Sequence, residues 1–112
     1  MKNRHILVIA GLAALLGSAT LGAAPVTENW ENLCQKCHGA DGKGQTKAGK
    51  KLKLKDYTDA KVQAEMTDAD MAKYINEGAN DDAGKEKMKA FKAELTPEEV
   101  TDLVAYIRKF KA

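Results

Sequence analysis

Histidine and cysteine are too scarce in this chain for most metal sites. There are two of each among 112 residues, and one of the histidines, His5, lies in the first few residues. A zinc ribbon needs four such ligands, and once His5 is lost with an N-terminal leader only three remain, so that class is excluded. Aromatic residues are also few: Trp30, Tyr57, Tyr74, Phe91, Tyr106 and Phe110 are all there are. A small domain buries a limited fraction of its surface, and a core this poor in large side chains leaves room for a flat apolar cofactor. No segment reads as a strand, and no repeat is present.

The one long apolar run is at the N-terminus. Lys2 and Arg4 precede the uncharged stretch Ile6 to Leu16, and the small residues Gly17, Ser18, Ala19, Gly22, Ala23 and Ala24 follow. This is the pattern of a secretory signal, and the run falls short of the about 20 residues that span a bilayer. Residues 1–23 are therefore expected to be a signal peptide, cut between 22 and 24, and residues 24–112 a single domain. Export places that domain in the periplasm without stable membrane insertion; a retained leader would anchor it. The net charge of +2 belongs to Lys2 and Arg4, and without them 16 basic side chains face 16 acidic ones. A nucleic-acid binder, which would need a basic excess, is not indicated.

The remaining residues read as helices joined by loops. Thr27 is the expected N-cap of a first helix, along which Trp30, Leu33, Cys34 and Cys37 make one apolar stripe. Glycines at 39, 42 and 44 end it. Residues 43–61, at a net +5, read as a surface loop, with one short helix from Asp59 to Ala64 that points Val62 inward. Thr67 to Asp70 resembles a capping box, and it opens a helix with Met71, Ala72, Ile75 and Tyr74 on its stripe, ending at Gly78. The polar stretch from Glu77 to Lys87 reads as a loop. The last helix is the best marked: Thr96 caps it, Pro97 takes its first position, Glu99 completes the box, and Leu95 staples onto Val100. Val100, Leu103, Val104, Ile107 and Phe110 form its inward face.

Chemistry concentrates in Cys34-Gln35-Lys36-Cys37-His38. This is a CxxCH stretch, the pattern of c-type haem attachment. On a helix the two thiols and the imidazole share one face, so both thiols can form thioethers with haem while His38 reaches the iron. A Cys34–Cys37 disulfide would close too short a loop to stabilise much, and a thioredoxin-like CxxC would need a preceding strand. The near-match to a phosphate-binding loop from Gly44 to Lys51 lacks both the hydroxyl and the strand it requires. With His5 in the leader, His38 is the only imidazole left for the iron. The ligand on the other side is then a methionine, a lysine or water, or the position is open; the candidate methionines are Met66, Met71 and Met88. Met71 suits core packing, Met66 is a weaker competitor, and Met88 is the expected ligand because its loop is long enough to reach round the haem. A carbonyl between Lys47 and Leu52 is the expected acceptor for the second nitrogen of His38.

Cys34 to His38, the glycine loop from Gly39 to Gly44, the late methionine near Phe91 and Leu103-Val104-Ala105-Tyr106-Ile107 together resemble the class I monohaem cytochromes c of bacteria. The resemblance implies an all-α cytochrome c fold, three to five helices around one covalent haem c, with Leu33 and Trp30 meeting Leu103 and Tyr106. It implies a single-electron carrier with His38 and Met88 on the iron, no catalytic residues, and redox proteins as donor and acceptor. The chain departs from the family in having Lys89 after the methionine and no proline in the loop beside His38. Lys85, Lys87, Lys89 and Lys92 flank Met88 and point to acidic docking surfaces on those partners; a monomer is expected. The alternative is a haem protein with an open distal site, a small peroxidase or gas sensor.

Overall fold

The computed structural model describes residues 23–112, and the leader up to residue 22 lies outside them. Five helices and one small hairpin make up this part. The first helix, α1, runs through Val26–Asn29, a π-helical turn at Trp30–Cys34 and Gln35–His38. After it come α2 at Lys47–Leu52, α3 at Ala60–Glu65 and α4 at Asp68–Glu77. Strands β1 (Ala79–Asn80) and β2 (Glu86–Met88) pair antiparallel, and α5 at Pro97–Arg108 closes the chain.

The caps read from the sequence are present at α4 and α5. Thr67 and Thr96 accept from the backbone N–H groups of Asp70 and Glu99, whose carboxylates return the bond, and Pro97 opens α5. Thr27 does not cap α1. That helix begins at Val26 with Pro25 at its cap position, two residues earlier, and the Pro25 carbonyl takes the Asn29 N–H at 3.1 Å. The ring that fixes φ at Pro25 already sets the chain for a helical start.

The core forms where α5 crosses α1 and α4. Trp30, Cys34, Met71, Ile75, Phe91, Leu95, Val100, Leu103, Val104 and Ile107 are buried in one cluster, with Leu103 at zero exposure. Trp30 lies 5.4 Å from Tyr106 and 5.0 Å from Phe110 between ring centroids, so the expected meeting of the first and last helices is observed. Leu33 is half-buried, packed against this core, and also lies on the wall of a cleft. Tyr74 leaves the stripe of α4 and is 49% exposed.

Two buried polar contacts hold α5 in place. The Glu99 carboxylate accepts from Asn29 Nδ2 at 2.7 Å while it caps its own helix. Those donors hold its carboxyl below the usual carboxylate range. Stability from ionised Glu99 is therefore full above the unfolded value of about 4.3 and is lost as pH falls through the folded one. Glu99→Gln should lower the Tm at pH 7, and the gap should close below about pH 4; thermal melts across that range check it. At the far end, Gln63 Nε2 donates to the carbonyls of Tyr57 and Ile107 at 2.7 and 2.9 Å. Arg108 donates to the carbonyls of Gln63 and Met66 and to Asp68. Gln63 is thus the buried residue of α3 and Val62 is only half-buried, because the side chain that reaches α5 must be one that can satisfy its carbonyls.

Segments read as loops contain structure. Residues 47–52 form α2, capped by Thr46, whose hydroxyl accepts from Gly49 N–H and donates to the Cys37 carbonyl at 2.6 Å. Gly49 packs so closely on α1 that a Cβ there would stand 2.6 Å from the Cys37 carbonyl oxygen and 2.2 Å from that of Gly44. Between Glu77 and Lys87 the chain makes the hairpin. Asp81 accepts from the N–H groups of Ala83 and Lys85 and so closes its turn.

Candidate functional site

Cys34, Cys37 and His38 open onto a cleft of about 460 Å³. Its wall includes Leu33, Leu54, Tyr57, Met66, Tyr74, Met88 and Phe91. The volume is that of an ordinary cofactor site, and more than half of the lining is apolar, with Lys55, Glu65, Asp70, Asn80, Lys87 and Lys89 as its polar part. Each part of the chain supplies one side: α1 the cysteines and histidine, the 54–57 turn Leu54 and Tyr57, the α3–α4 junction Met66, and the hairpin Met88.

The end of α1 is held by its own loop. Gly39 N–H bonds to the Gln35 carbonyl at 2.8 Å and Gly44 N–H to the His38 carbonyl at 2.9 Å. Trp30 Nε1–H donates to the Gly39 carbonyl at 3.0 Å, which ties the buried indole to the turn just past His38. The two cysteines are free thiols, with no disulfide between them. Burial, with Cys37 alongside, pushes the Cys34 thiol up to about 12, so it is protonated at neutral pH and is no thiolate nucleophile.

Burial pulls His38 down to about 4, so its imidazole is neutral and fit to ligate a metal. The ring lies against two aromatics, Tyr57 stacked at 5.2 Å and Trp30 tilted at 5.8 Å. Its Nδ1 is buried without a hydrogen-bond partner. The expected acceptor between Lys47 and Leu52 is not there, because that stretch is helical. Its Gly49 and Lys50 carbonyls accept from Leu54 and Lys53. An unsatisfied buried polar group costs about 1–3 kcal/mol.

All three candidate methionines lie near His38, in different settings. Met71 is 4% exposed within the core of α4. Met66 and Met88 both line the cleft. Met88 ends β2, opposite Ala79. Gly78, at φ +75°, lets this strand close onto the end of α4, since a Cβ there would stand 2.4 Å from the Met88 carbonyl oxygen. Phe91 N–H then bonds the Ile75 carbonyl at 2.9 Å, so the chain is pinned on both sides of Met88.

The donor set and the cavity fit haem. Two thiols and a neutral imidazole converge at one side of an apolar cleft that has methionine sulfur on its wall. Sequence reasoning missed Leu54, Tyr57 and Tyr74 as cleft residues. The available signal for Tyr57 was its place in Asp56-Tyr57-Thr58, where Asp56 accepts from both the N–H and the hydroxyl of Thr58 and forms a turn.

A family model described as Cytochrome c matches residues 23–111. Among solved structures, the chain is similar to the KustC0563 c-type cytochrome, with 37% identity and a TM-score of 0.71 over 80% of this chain and 100% of that one. A tyrosine-to-phenylalanine mutant of the same cytochrome matches at 38% identity and a TM-score of 0.68, over 79% of this chain and 100% of that one. Among curated proteins, none matches.

Proposed function

The chain belongs to the cytochrome c family, and on that premise we propose that it is a periplasmic carrier of single electrons with His38 and Met88 as axial ligands. One covalently bound haem c, with its iron, is the cofactor, and electron transfer is the role. When bound, the haem supplies an iron that alternates between Fe(III) and Fe(II). The protein's part is to hold, orient and shield it.

Each residue has a task in that work. The sulfurs of Cys34 and Cys37 hold the group to α1 as thioethers. His38 offers a neutral imidazole, and Met88 a soft thioether that favours the reduced iron. Leu33, Leu54, Tyr57 and Phe91 keep water from the cleft. The observation that carries the ligand assignment is that Met88 and His38 line one cleft, with Met88 fixed by Gly78 and the hairpin. A visible spectrum of the ferric holoprotein tests it. A low-spin spectrum with a weak thioether-to-iron band near the red end is expected, and a high-spin spectrum overturns the assignment.

The export-type N-terminus supports the periplasm. Among the described residues no helix is long and apolar enough to cross a membrane. For partners, we propose redox proteins with acidic docking faces. Lys55, Lys87 and Lys89 line the cleft, although Lys55 and Lys89 also pair with Glu65 and Glu94. Steering by these charges should slow association about tenfold or more between low and high salt. Stopped-flow rates with the physiological partner that stay constant with ionic strength remove the proposal.

A further inference from the structure

We infer, resting on the export proposed above, that the leader is cut between Ala23 and Ala24, and that the ammonium freed on Ala24 becomes the counter-ion of Glu99. Residues 22 to 24 are Gly, Ala and Ala, all small enough to precede a signal-peptidase cut. The sequence therefore leaves the bond open. The fold narrows it, because one backbone nitrogen lies where a cation is wanted.

Glu99 is the one charged residue that is buried among the described residues, at 8% exposure. The ion pairs of those residues are Lys55–Glu65, Lys89–Glu94 and Arg108–Asp68, and none of them involves Glu99. A buried carboxylate ordinarily calls for a paired charge as well as hydrogen bonds. Here its donors are all neutral. Oε1 accepts from Thr96 N–H at 3.0 Å, and Oε2 accepts from Asn29 Nδ2 at 2.7 Å and from Ala24 N–H at 3.3 Å. The Ala24 bond is the loosest of the three and longer than an amide bond prefers. An ammonium on the same nitrogen makes a charge-assisted bond, shorter at about 2.7–2.9 Å and roughly twice as strong. Ala24 is half-buried, so the pair is less screened than one on the open surface.

Position selects the bond. A cut after Gly22 keeps Ala24 N as a neutral amide and puts the ammonium one residue away, and a cut after Ala24 removes that nitrogen. Glu99 also resolves a conflict at α1. An ammonium just before Pro25 faces the positive end of that helix, which is unfavourable. The Glu99 carboxylate, tied to α1 through Asn29, reverses the sign. A free terminus at Ala24 should therefore stabilise protein that has Glu99 and not protein that lacks it.

The test uses holoprotein exported with its own leader. Intact mass reads the first residue, and thermal melts at pH 7, where an α-amino group is mostly charged, read the pair. A chain starting at Ala24 is expected, and a start at Ala23 or Pro25 overturns the inference. A leader still attached means that the cleavage on which it rests has failed; the electron-carrier reading, tested by the spectrum, stands apart from either result. One glycine inserted before Ala24 and confirmed by mass turns the nitrogen back into an amide. The Tm should fall by about 3 °C, as an ion pair of this exposure implies for a domain of this size. In a Glu99→Gln background the same insertion should leave the Tm unchanged or raise it. No fall in the wild-type background, or an equal fall in both, overturns the inference. If the glutamine variant does not fold, salt decides. At 1 M, where the screening length is about 3 Å, the wild-type gap should narrow, and a gap that salt leaves unchanged overturns the pairing.

Discussion

Protein carrying Cys34→Ala and Cys37→Ala together should lose all covalently bound haem: after denaturation, the coloured band that marks the wild type should be absent from the protein. These are the only cysteines in the chain, so no other thiol can replace them. The coordinate bonds from His38 and Met88 would remain, and neither survives denaturation. Each single variant keeps one thioether and should keep its colour. The double variant should also be far less stable, because a cleft of about 460 Å³ would then be filled only by a loosely held group or by water. Much of the lining of a small domain would lose its packing partner. Circular dichroism melts read that second effect. Haem retained on the denatured double variant would show that attachment is elsewhere.

Met88→Ala should remove the thioether band near the red end of the ferric spectrum and lower the potential by on the order of 0.1 V or more, a fraction of the roughly 0.8 V that axial ligands span. The fold should survive, because Met88 is half-buried and outside the fully buried cluster. Met66→Ala is the control. Met66 shares the cleft and carries the other thioether on that wall. If Met66→Ala removes the band and Met88→Ala leaves it, the ligand is Met66.

Where local chemistry and periodicity agree, the sequence was a sufficient guide. CxxCH has few competing meanings. The capping boxes at Thr67 and Thr96 and the stripe from Val100 to Ile107 need only neighbours in the chain to be read. The pieces that were misread depend on distant partners. Helix α2 is only six residues long and is interrupted by Gly49, so its length and the glycine argue against it. It forms because Thr46 caps it on one side and bonds Cys37 on the other, and because a glycine can lie against the carbonyls of residues 37 and 44. The hairpin between Glu77 and Met88 has few apolar residues and owes its closure to the Asp81 turn. Nothing local in the sequence singles out Gln63 or Asn29. Their partners, Ile107 and Glu99, lie 44 and 70 positions away, and no local pattern announces such pairs. Tyr57 was overlooked for the same reason: its meaning comes from His38.

The π-helical turn at Trp30–Cys34, where the Gln35 N–H reaches back five residues to the Trp30 carbonyl, has a consequence for how α1 tolerates change. Such a wide turn holds one more residue than an α-helical turn would. It falls between Trp30, which serves the crossing with α5, and the cysteines, which serve the cleft, and so it sets the angular phase between two faces of one rod. That phase is encoded by the number of residues and hardly at all by their identity. Exposed positions such as Glu31 and Asn32 can then vary freely in kind, while losing either one would turn the indole and the thiols out of alignment.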